Sequence, residues 1–263
     1  MTNAVNTANM ESFVTLAHQL ADAARLEIMG RFRTGIKADV KSDRSPVTEA
    51  DRAAERVMRS LINDAFPDHG ILGEEYGEEN IGAEYVWVLD PIDGTNSFVT
   101  GKPLFGTLIA LCQNSVPIVG IIDAPGVGER WAGAKGLPTT MNKGAVATRT
   151  CDDLDGAWLY ATTPDMFENA DEAAFKRLSG AAWRTVYGGD CYAYGLLSSG
   201  HVDLVCEASL GTYDFCALAP VIEGAGGIIT DWQGQPLTLA TDGKVLAAGD
   251  ASLHAKALER LKG

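Results

Sequence analysis

The sequence of 263 residues predicts a layered α/β or α+β fold, because helical and strand patterns follow one another without a regular repeat. Residues 107–112 and 118–122 form two apolar strand patterns separated by a short polar turn, which indicates a hairpin. No glycine-rich dinucleotide fingerprint follows a predicted strand, and the phosphate-loop pattern GxxxxGK[ST] does not occur. The sequence therefore disfavours a parallel sheet that binds nucleotides.

The N-terminal half is predicted to open with two amphipathic helices. The first covers residues 13–29, where apolar residues recur at helical spacing up to Gly30. The second begins after Thr48, with Asp51 at the third position of a capping box, and it ends at Pro67. The predicted strands of this half cover residues 85–89, 107–112, 118–122 and 129–134.

Residues 136–150 are rich in loop-forming residues and are predicted to join two halves of one unit that spans residues 1–263. The halves cover about residues 10–140 and 150–263. In the second half, helices are predicted at residues 172–178, 190–199, 214–224 and 252–261. Strands are predicted at residues 158–161, around 186, and at 202–207, 228–230 and 245–248.

The charge balance excludes several classes of partner. Asp and Glu total 35 against 21 Lys and Arg, which gives a formal net charge of −14 and argues against nucleic acid and anionic membranes. No apolar run approaches the ~20 residues of a membrane span, and the polar residues 1–10 resemble a disordered lead-in rather than a signal peptide. The five cysteines are scattered, as in a protein of the reducing cytoplasm. An anionic ligand would therefore need a metal ion.

The motif with the most chemistry is Asp90-Pro91-Ile92-Asp93-Gly94-Thr95, which follows the buried strand of residues 85–89. Its spacing predicts that both carboxylates and the Ile92 carbonyl lie on one side of a tight turn. Mg²⁺ prefers such oxygen ligands. Gly94 allows close approach of a ligand to the backbone, and the N–H groups of Gly94 and Thr95 are predicted to bind an anion.

This motif resembles the signature of the inositol monophosphatase superfamily, which comprises Mg²⁺-dependent, lithium-sensitive sugar and polyol phosphatases. Three further blocks resemble the family in the same order: residues 45–51, Gly73-Glu74-Glu75, and Tyr213-Asp214 followed by residues 224–227. The resemblance covers nearly the whole chain. It implies an alternating α-β-α-β-α sandwich, a small phosphate ester as substrate, and a homodimer or higher oligomer.

The resemblance also implies roles for individual residues. Two or three Mg²⁺ ions would be bound by Glu74, Asp90, the Ile92 carbonyl, Asp93 and Asp214. Asp51 and Thr95 would orient and deprotonate the attacking water, with Glu74 also in the catalytic set, and phosphate would contact Asp93, Gly94 and Thr95. Glu75 is either a further acid of the site or a solvated side chain. Lys41 either offsets the acidic cluster or is solvated.

The run around Gly189 and Asp190, together with Glu207, is similar to the histidinol-phosphatase branch of this family. Histidinol phosphate has a cationic organic end, to which Asp190 and Glu207 would make charge-assisted hydrogen bonds. Asp190 could instead cap the helix that follows it. The alternatives for function are an inositol or sugar monophosphatase, a 3′-phosphoadenosine 5′-phosphate phosphatase, and a catalytically inactive metal-binding module.

Overall fold

The computed structural model describes residues 7–35, 38–40 and 46–263. Its helices are α1 (Thr7–Met29), α2 (Glu49–Ala65), α3 (Thr95–Val99), α4 (Asn169–Ala181), α5 (Cys191–Ser198), α6 (Thr212–Phe215), α7 (Leu218–Gly224) and α8 (Ala251–Lys262). Its strands are β1 (Asp39–Val40), β2 (Pro46–Val47), β3 (Gly70–Gly73), β4 (Gly77–Glu79), β5 (Tyr85–Asp93), β6 (Gly106–Gln113), β7 (Val116–Ala124), β8 (Glu129–Ala134), β9 (Leu137–Met141), β10 (Gly144–Ala145), β11 (Trp158–Ala161), β12 (Arg184–Tyr187), β13 (Leu204–Glu207), β14 (Ile228–Asp231) and β15 (Val245–Ala248). Residues 1–6 and Lys41 lie outside the described part.

Two large sheets organise the molecule. The first has eight strands in the order β10-β9-β8-β7-β6-β5-β3-β4, and it is antiparallel except where β3 runs parallel to β5. The second has five strands in the order β12-β11-β13-β15-β14, with β11 parallel to both of its neighbours. None of the helices in the described ranges is both long and apolar enough to cross a membrane.

Successive side chains along a strand point to opposite faces of the sheet and so belong to different hydrophobic cores. On β5, Trp87 and Leu89 pack with α1 and α2, whereas Val86 and Val88 pack with α5, α6 and α7. On β13, Val205 faces the same central helices, and its neighbours along the strand pack with α4 and α8. The layers are therefore helices, sheet, helices, sheet and helices, which confirms the predicted α-β-α-β-α order.

The central helices approach the first sheet at two glycines that face each other on neighbouring strands. Gly120 on β7 pairs with Gly133 on β8. A Cβ atom on Gly120 would collide with the Ala217 carbonyl, and one on Gly133 would collide with the Pro220 carbonyl. These glycines create the groove in which the backbone of residues 217–220 lies.

Several predictions about element bounds differ from the structure. Residues 136–150 contain β9 and β10, which form a hairpin because Asn142 and Lys143 adopt positive φ values of 47° and 72°. The predicted helix 214–224 is divided into α6 and α7, since Pro220 has no N–H to donate to the carbonyl four residues earlier. The first helix begins at Thr7, so residues 7–10 belong to α1 rather than to a lead-in.

Candidate metal centre

The parallel pair β3 and β5 brings two acidic residues to one edge of the first sheet. Gly73 on β3 is paired with Leu89 on β5, and the Glu74 N–H donates to the Leu89 carbonyl at 3.1 Å. Glu74 therefore follows β3 beside the point where β5 reaches Asp90. This pairing is the reason that two motifs 16 residues apart in the sequence share a site.

An irregularity in β5 positions Asp93. Asp90 pairs with Leu108 and Asp93 with Gly106, so β5 contains one residue more than β6 between these pairs. The Pro91 carbonyl accepts a hydrogen bond from Thr107 Oγ1 at 2.8 Å. The predicted strand of residues 85–89 is too short, because β5 resumes its pairing after this bulge and ends at Asp93.

The short helix α6 supplies the third carboxylate. Asp214 Oδ2 accepts from the Gly211 N–H at 2.7 Å, which fixes the side chain at the start of the helix. One carboxylate oxygen from each of Asp90, Asp93 and Asp214 lies within 4.8 Å of the other two. The structure thus brings together three of the predicted metal ligands, and the Glu74 charge is close enough to raise the pKa of Asp90.

Burial makes this cluster unfavourable as a set of bare carboxylates. Desolvation, followed by repulsion from neighbouring acids, raises the pKa of Asp90 and of Asp93 well above the usual range. Desolvation likewise raises the pKa of Asp214 to about 7. Asp90 Oδ1 is buried without a hydrogen-bond partner. A hard divalent cation fits this oxygen-only donor set, because it would supply the missing partner and offset the repulsion.

The predicted water-activating residues lie next to this cluster. Asp51 Oδ2 accepts from the Thr48 N–H at 2.8 Å and from Thr48 Oγ1 at 2.5 Å, so the predicted capping box is confirmed. Asp51 Oδ1 is buried without a partner, so Thr95 does not donate to it here. Instead, Thr95 Oγ1 donates to the Ile92 carbonyl at 3.0 Å. Desolvation raises the pKa of Asp51, and the Glu74 charge adds to this effect.

Asp190 lies against the same segment but does not cap α5. Its side chain makes no hydrogen bond to the first turn of that helix, so the capping alternative is wrong. Ser97 Oγ donates to Asp190 Oδ2 at 3.3 Å, and a Cβ atom on Gly94 would lie 2.9 Å from that oxygen. Asp190 has φ +48°, after Gly188 and Gly189 at +87° and +119°. Such backbone strain is typical of functional sites.

Glu207 lies deeper than Asp190 and is occupied by internal partners. It is buried on β13, where Oε1 accepts from the Thr162 N–H at 2.8 Å and Oε2 accepts from the Tyr194 hydroxyl at 2.9 Å. Desolvation raises the pKa of Glu207, with the nearby Asp190 charge as a smaller cause. The fold therefore sets the orientation of the Glu207 carboxylate, and the predicted contact of Glu207 with a substrate stays a prediction.

Glu55 is a site residue that the sequence analysis missed. It is fully buried, and its carboxylate accepts from the Glu75 N–H at 2.8 Å and from the Tyr76 N–H at 3.2 Å, while Arg59 Nε donates at 2.8 Å. It therefore fixes the turn that carries Glu74. A detectable signal was its position one helical turn after Asp51, within the buried stripe of α2.

Comparison with known proteins agrees with this geometry. The family model described as the inositol monophosphatase family matches residues 9–262. The bifunctional phosphatase IMPL2, chloroplastic, of Arabidopsis thaliana is 48% identical, over 98% of this chain and 77% of that protein. A histidinol-phosphatase of Streptomyces coelicolor is 35% identical, over 84% of this chain and 87% of that protein.

Solved structures give the same result. An inositol monophosphatase from Zymomonas mobilis superposes with a TM-score of 0.89 at 47% identity, covering 96% of this chain and 98% of that one. An inositol monophosphatase from Anabaena superposes with a TM-score of 0.83 at 30% identity, covering 97% and 96% of the two chains.

Proposed function

The chain belongs to the inositol monophosphatase family, and from this premise we propose that it is a Mg²⁺-dependent phosphatase of L-histidinol phosphate. The family membership supports a phosphoric monoester hydrolase that uses a divalent metal, and the substrate is the new element. The products would be L-histidinol and inorganic phosphate, as in a step of histidine biosynthesis. The chain would act as a homodimer in the cytoplasm.

The observation that carries this proposal is the position of the Asp190 carboxylate. It is half-buried beside the metal cluster, it is not used to cap α5, and its hydrogen bond from Ser97 is long. The ammonium or imidazolium group of histidinol phosphate would form a charge-assisted hydrogen bond there. The histidinol-phosphatases among the relatives support the same substrate.

The metal ions would be held by Asp90, Asp93, Asp214, Glu74 and the Ile92 carbonyl. When bound, they would lower the pKa of a water molecule and offset the charge of the phosphate. Asp51 Oδ1, which is buried without a partner, would accept a proton from that water. The N–H groups of Gly94 and Thr95 would hold phosphate oxygens, and this orientation would align the ester for attack from the opposite side.

The test compares kcat/KM for L-histidinol phosphate and inositol 1-phosphate under saturating Mg²⁺. We expect a preference for histidinol phosphate of at least about tenfold, because one charge-assisted hydrogen bond separates the two substrates. The variant Asp93→Asn, purified in the same way, reports contaminating phosphatase. A clear preference for the inositol ester would overturn the proposal.

A second candidate is inositol-1-monophosphatase activity on the same site. It is favoured by the Zymomonas structure, which is described as an inositol monophosphatase, and by the plant relative, which is described as bifunctional. The same kinetic comparison separates a strict histidinol-phosphatase from an enzyme that accepts both esters.

A further inference from the structure

Lys102 is a basic residue beside the substrate end of the site, and neither the metal centre nor the proposed chemistry accounts for it. It lies between α3 and β6, and its backbone N–H donates to the Ser97 carbonyl at 2.8 Å. The preceding Gly101 carbonyl accepts from Arg33 Nε and Nη2 at 2.9 and 2.6 Å. The peptide unit that precedes the Lys102 Cα is thus held through both its carbonyl and its N–H, while the Lys102 side chain is exposed.

The ammonium group of Lys102 lies beside Gly188, two residues before Asp190. A Cβ atom on Gly188 would lie 3.0 Å from Lys102 Nζ, so a side chain at this position would crowd the ammonium group. The Lys102 charge lowers the pKa of Asp190, against the larger effect of burial. Among the described residues, the hydrogen bond to the Asp190 carboxylate comes from Ser97, and Lys102 acts on Asp190 through its charge. Lys102 therefore partly offsets the charge of Asp190 without forming an ion pair with it.

We propose that Lys102 is an exchangeable counter-ion for Asp190 and thereby determines which esters the site accepts. With a cationic ester, the ammonium group of the substrate neutralises the Asp190 carboxylate, and the Lys102 side chain moves into solvent. With a neutral polyol ester, Lys102 remains beside Asp190 and compensates its charge. This inference rests on the proposed function and adds a specificity-determining residue to it.

Energetics support such an exchange. An exposed lysine without a close ion pair contributes little to stability, so releasing it costs little. A half-buried carboxylate without any positive neighbour is much less favourable, because it also lies near the acidic metal ligands and its charge raises the pKa of Asp93. A positive charge near Asp190 is therefore favourable, and either the enzyme or the substrate can supply it.

The test measures kcat and KM for L-histidinol phosphate and inositol 1-phosphate in wild type, Lys102→Met and Lys102→Arg. In Lys102→Met we expect kcat/KM to fall about tenfold for the inositol ester, mainly through KM, and to rise a few-fold for histidinol phosphate. Lys102→Arg keeps the charge and should restore the wild-type ratio. Lys143→Met, on the exposed turn between β9 and β10, is the matched control and should leave the ratio unchanged.

Two further measurements separate this role from a structural one. In an Asp190→Asn background, Lys102→Met should no longer change the ratio, because the charge to be compensated is gone. Calorimetry with L-histidinol, which has no phosphate, should show tighter binding to Lys102→Met than to wild type.

Equal changes for both esters in Lys102→Met, or a failure of Lys102→Arg to restore the ratio, would overturn the role of Lys102. A wild-type enzyme that prefers the inositol ester contradicts the proposed substrate alone. In that case, the ratio of kcat/KM for the two esters still decides the role of Lys102. A change of this ratio between wild type and Lys102→Met shows that Lys102 offsets the charge of Asp190.

Discussion

Asp93 Oδ2 accepts a hydrogen bond from the backbone N–H of Cys191 at 2.5 Å, so a predicted metal ligand caps a helix of the other half of the chain. The N–H groups of a helix's first turn have no partner within the helix, and here a carboxylate 98 positions away satisfies one of them. The same contact holds Asp190, one residue before Cys191, next to Gly94. The acidic cluster and the segment that we propose to recognise the substrate are therefore fixed to each other.

Asp93→Asn should separate the two roles of this carboxylate. The amide oxygen can still accept from the Cys191 N–H, so the fold is retained, but the charge needed for the metal is lost. We expect kcat to fall by about 10²–10³-fold or more with an unchanged circular dichroism spectrum. Asp93→Ala should lose activity and also melt at a lower temperature. Wild-type turnover in Asp93→Asn would contradict a metal-binding role.

Gly94→Ala should damage recognition more than stability. Alanine at φ +83° costs about 1–2 kcal/mol of unfolding free energy. Its Cβ would lie 2.9 Å from Asp190 Oδ2 and would therefore push the Asp190 carboxylate away. Gly136→Ala is the matched control, with φ +80° and no atom within 4 Å of the added Cβ. Denaturant unfolding should give similar losses for both variants, whereas only Gly94→Ala should raise KM for histidinol phosphate, by about tenfold. Equal KM values for the Gly94→Ala and Gly136→Ala variants would contradict a role of Asp190 in substrate binding.

The metal-free protein should lose stability as the pH rises. Burial raises the pKa of Asp214 from 3.8 to about 7, so its favourable contribution is complete below pH 4 and disappears as the pH passes about 7. In EDTA, the melting temperature should therefore fall between about pH 4 and pH 7. Excess Mg²⁺ should raise the melting temperature and flatten the profile. Asp214→Asn should also flatten the dependence of the melting temperature on pH in EDTA. An unchanged dependence in this variant would count against Asp214 as its cause.

Glu55→Ala should weaken the site without touching a ligand. It leaves the N–H groups of Glu75 and Tyr76 and the Arg59 side chain without their buried partner, which costs about 3 kcal/mol of unfolding free energy. Because these groups position Glu74, Mg²⁺ affinity measured by calorimetry should fall as well. Glu49→Ala, an exposed acid on the same helix, should change stability by less than about 0.5 kcal/mol. Equal effects of the two variants would show that Glu55 is not a support.

Local patterns predict much of this fold. The bounds of β8, β11 and β15 agree with the prediction to the residue, since each is a short strand bounded by turn-forming residues. The small strands β3, β4, β9 and β10 were missed, because glycine, proline or glutamate interrupts the apolar pattern in each of them. The break between α6 and α7 is explained by Pro220, which cannot donate a hydrogen bond to the carbonyl four residues earlier.

The acids of the cluster could be named from the sequence because they lie in four ordered blocks that resemble a family signature. The residues that hold these acids in place were not predictable, since they act through contacts between distant segments of the chain. Cys191 reaches Asp93, Glu55 reaches the turn after β3, and Lys102 reaches Gly188. None of these pairs has a characteristic spacing, and only the three-dimensional packing of the layers makes them neighbours.

The glycine groove formed by Gly120 and Gly133 has a consequence for how the chain is made. Gly120 and Gly133 are synthesised about 97 and 84 residues before the backbone segment 217–220 that fills their groove. Until then, one face of the first sheet lacks α6 and α7 to cover its apolar side chains. The nascent chain therefore passes through a long interval in which this face is exposed to aggregation and to chaperones.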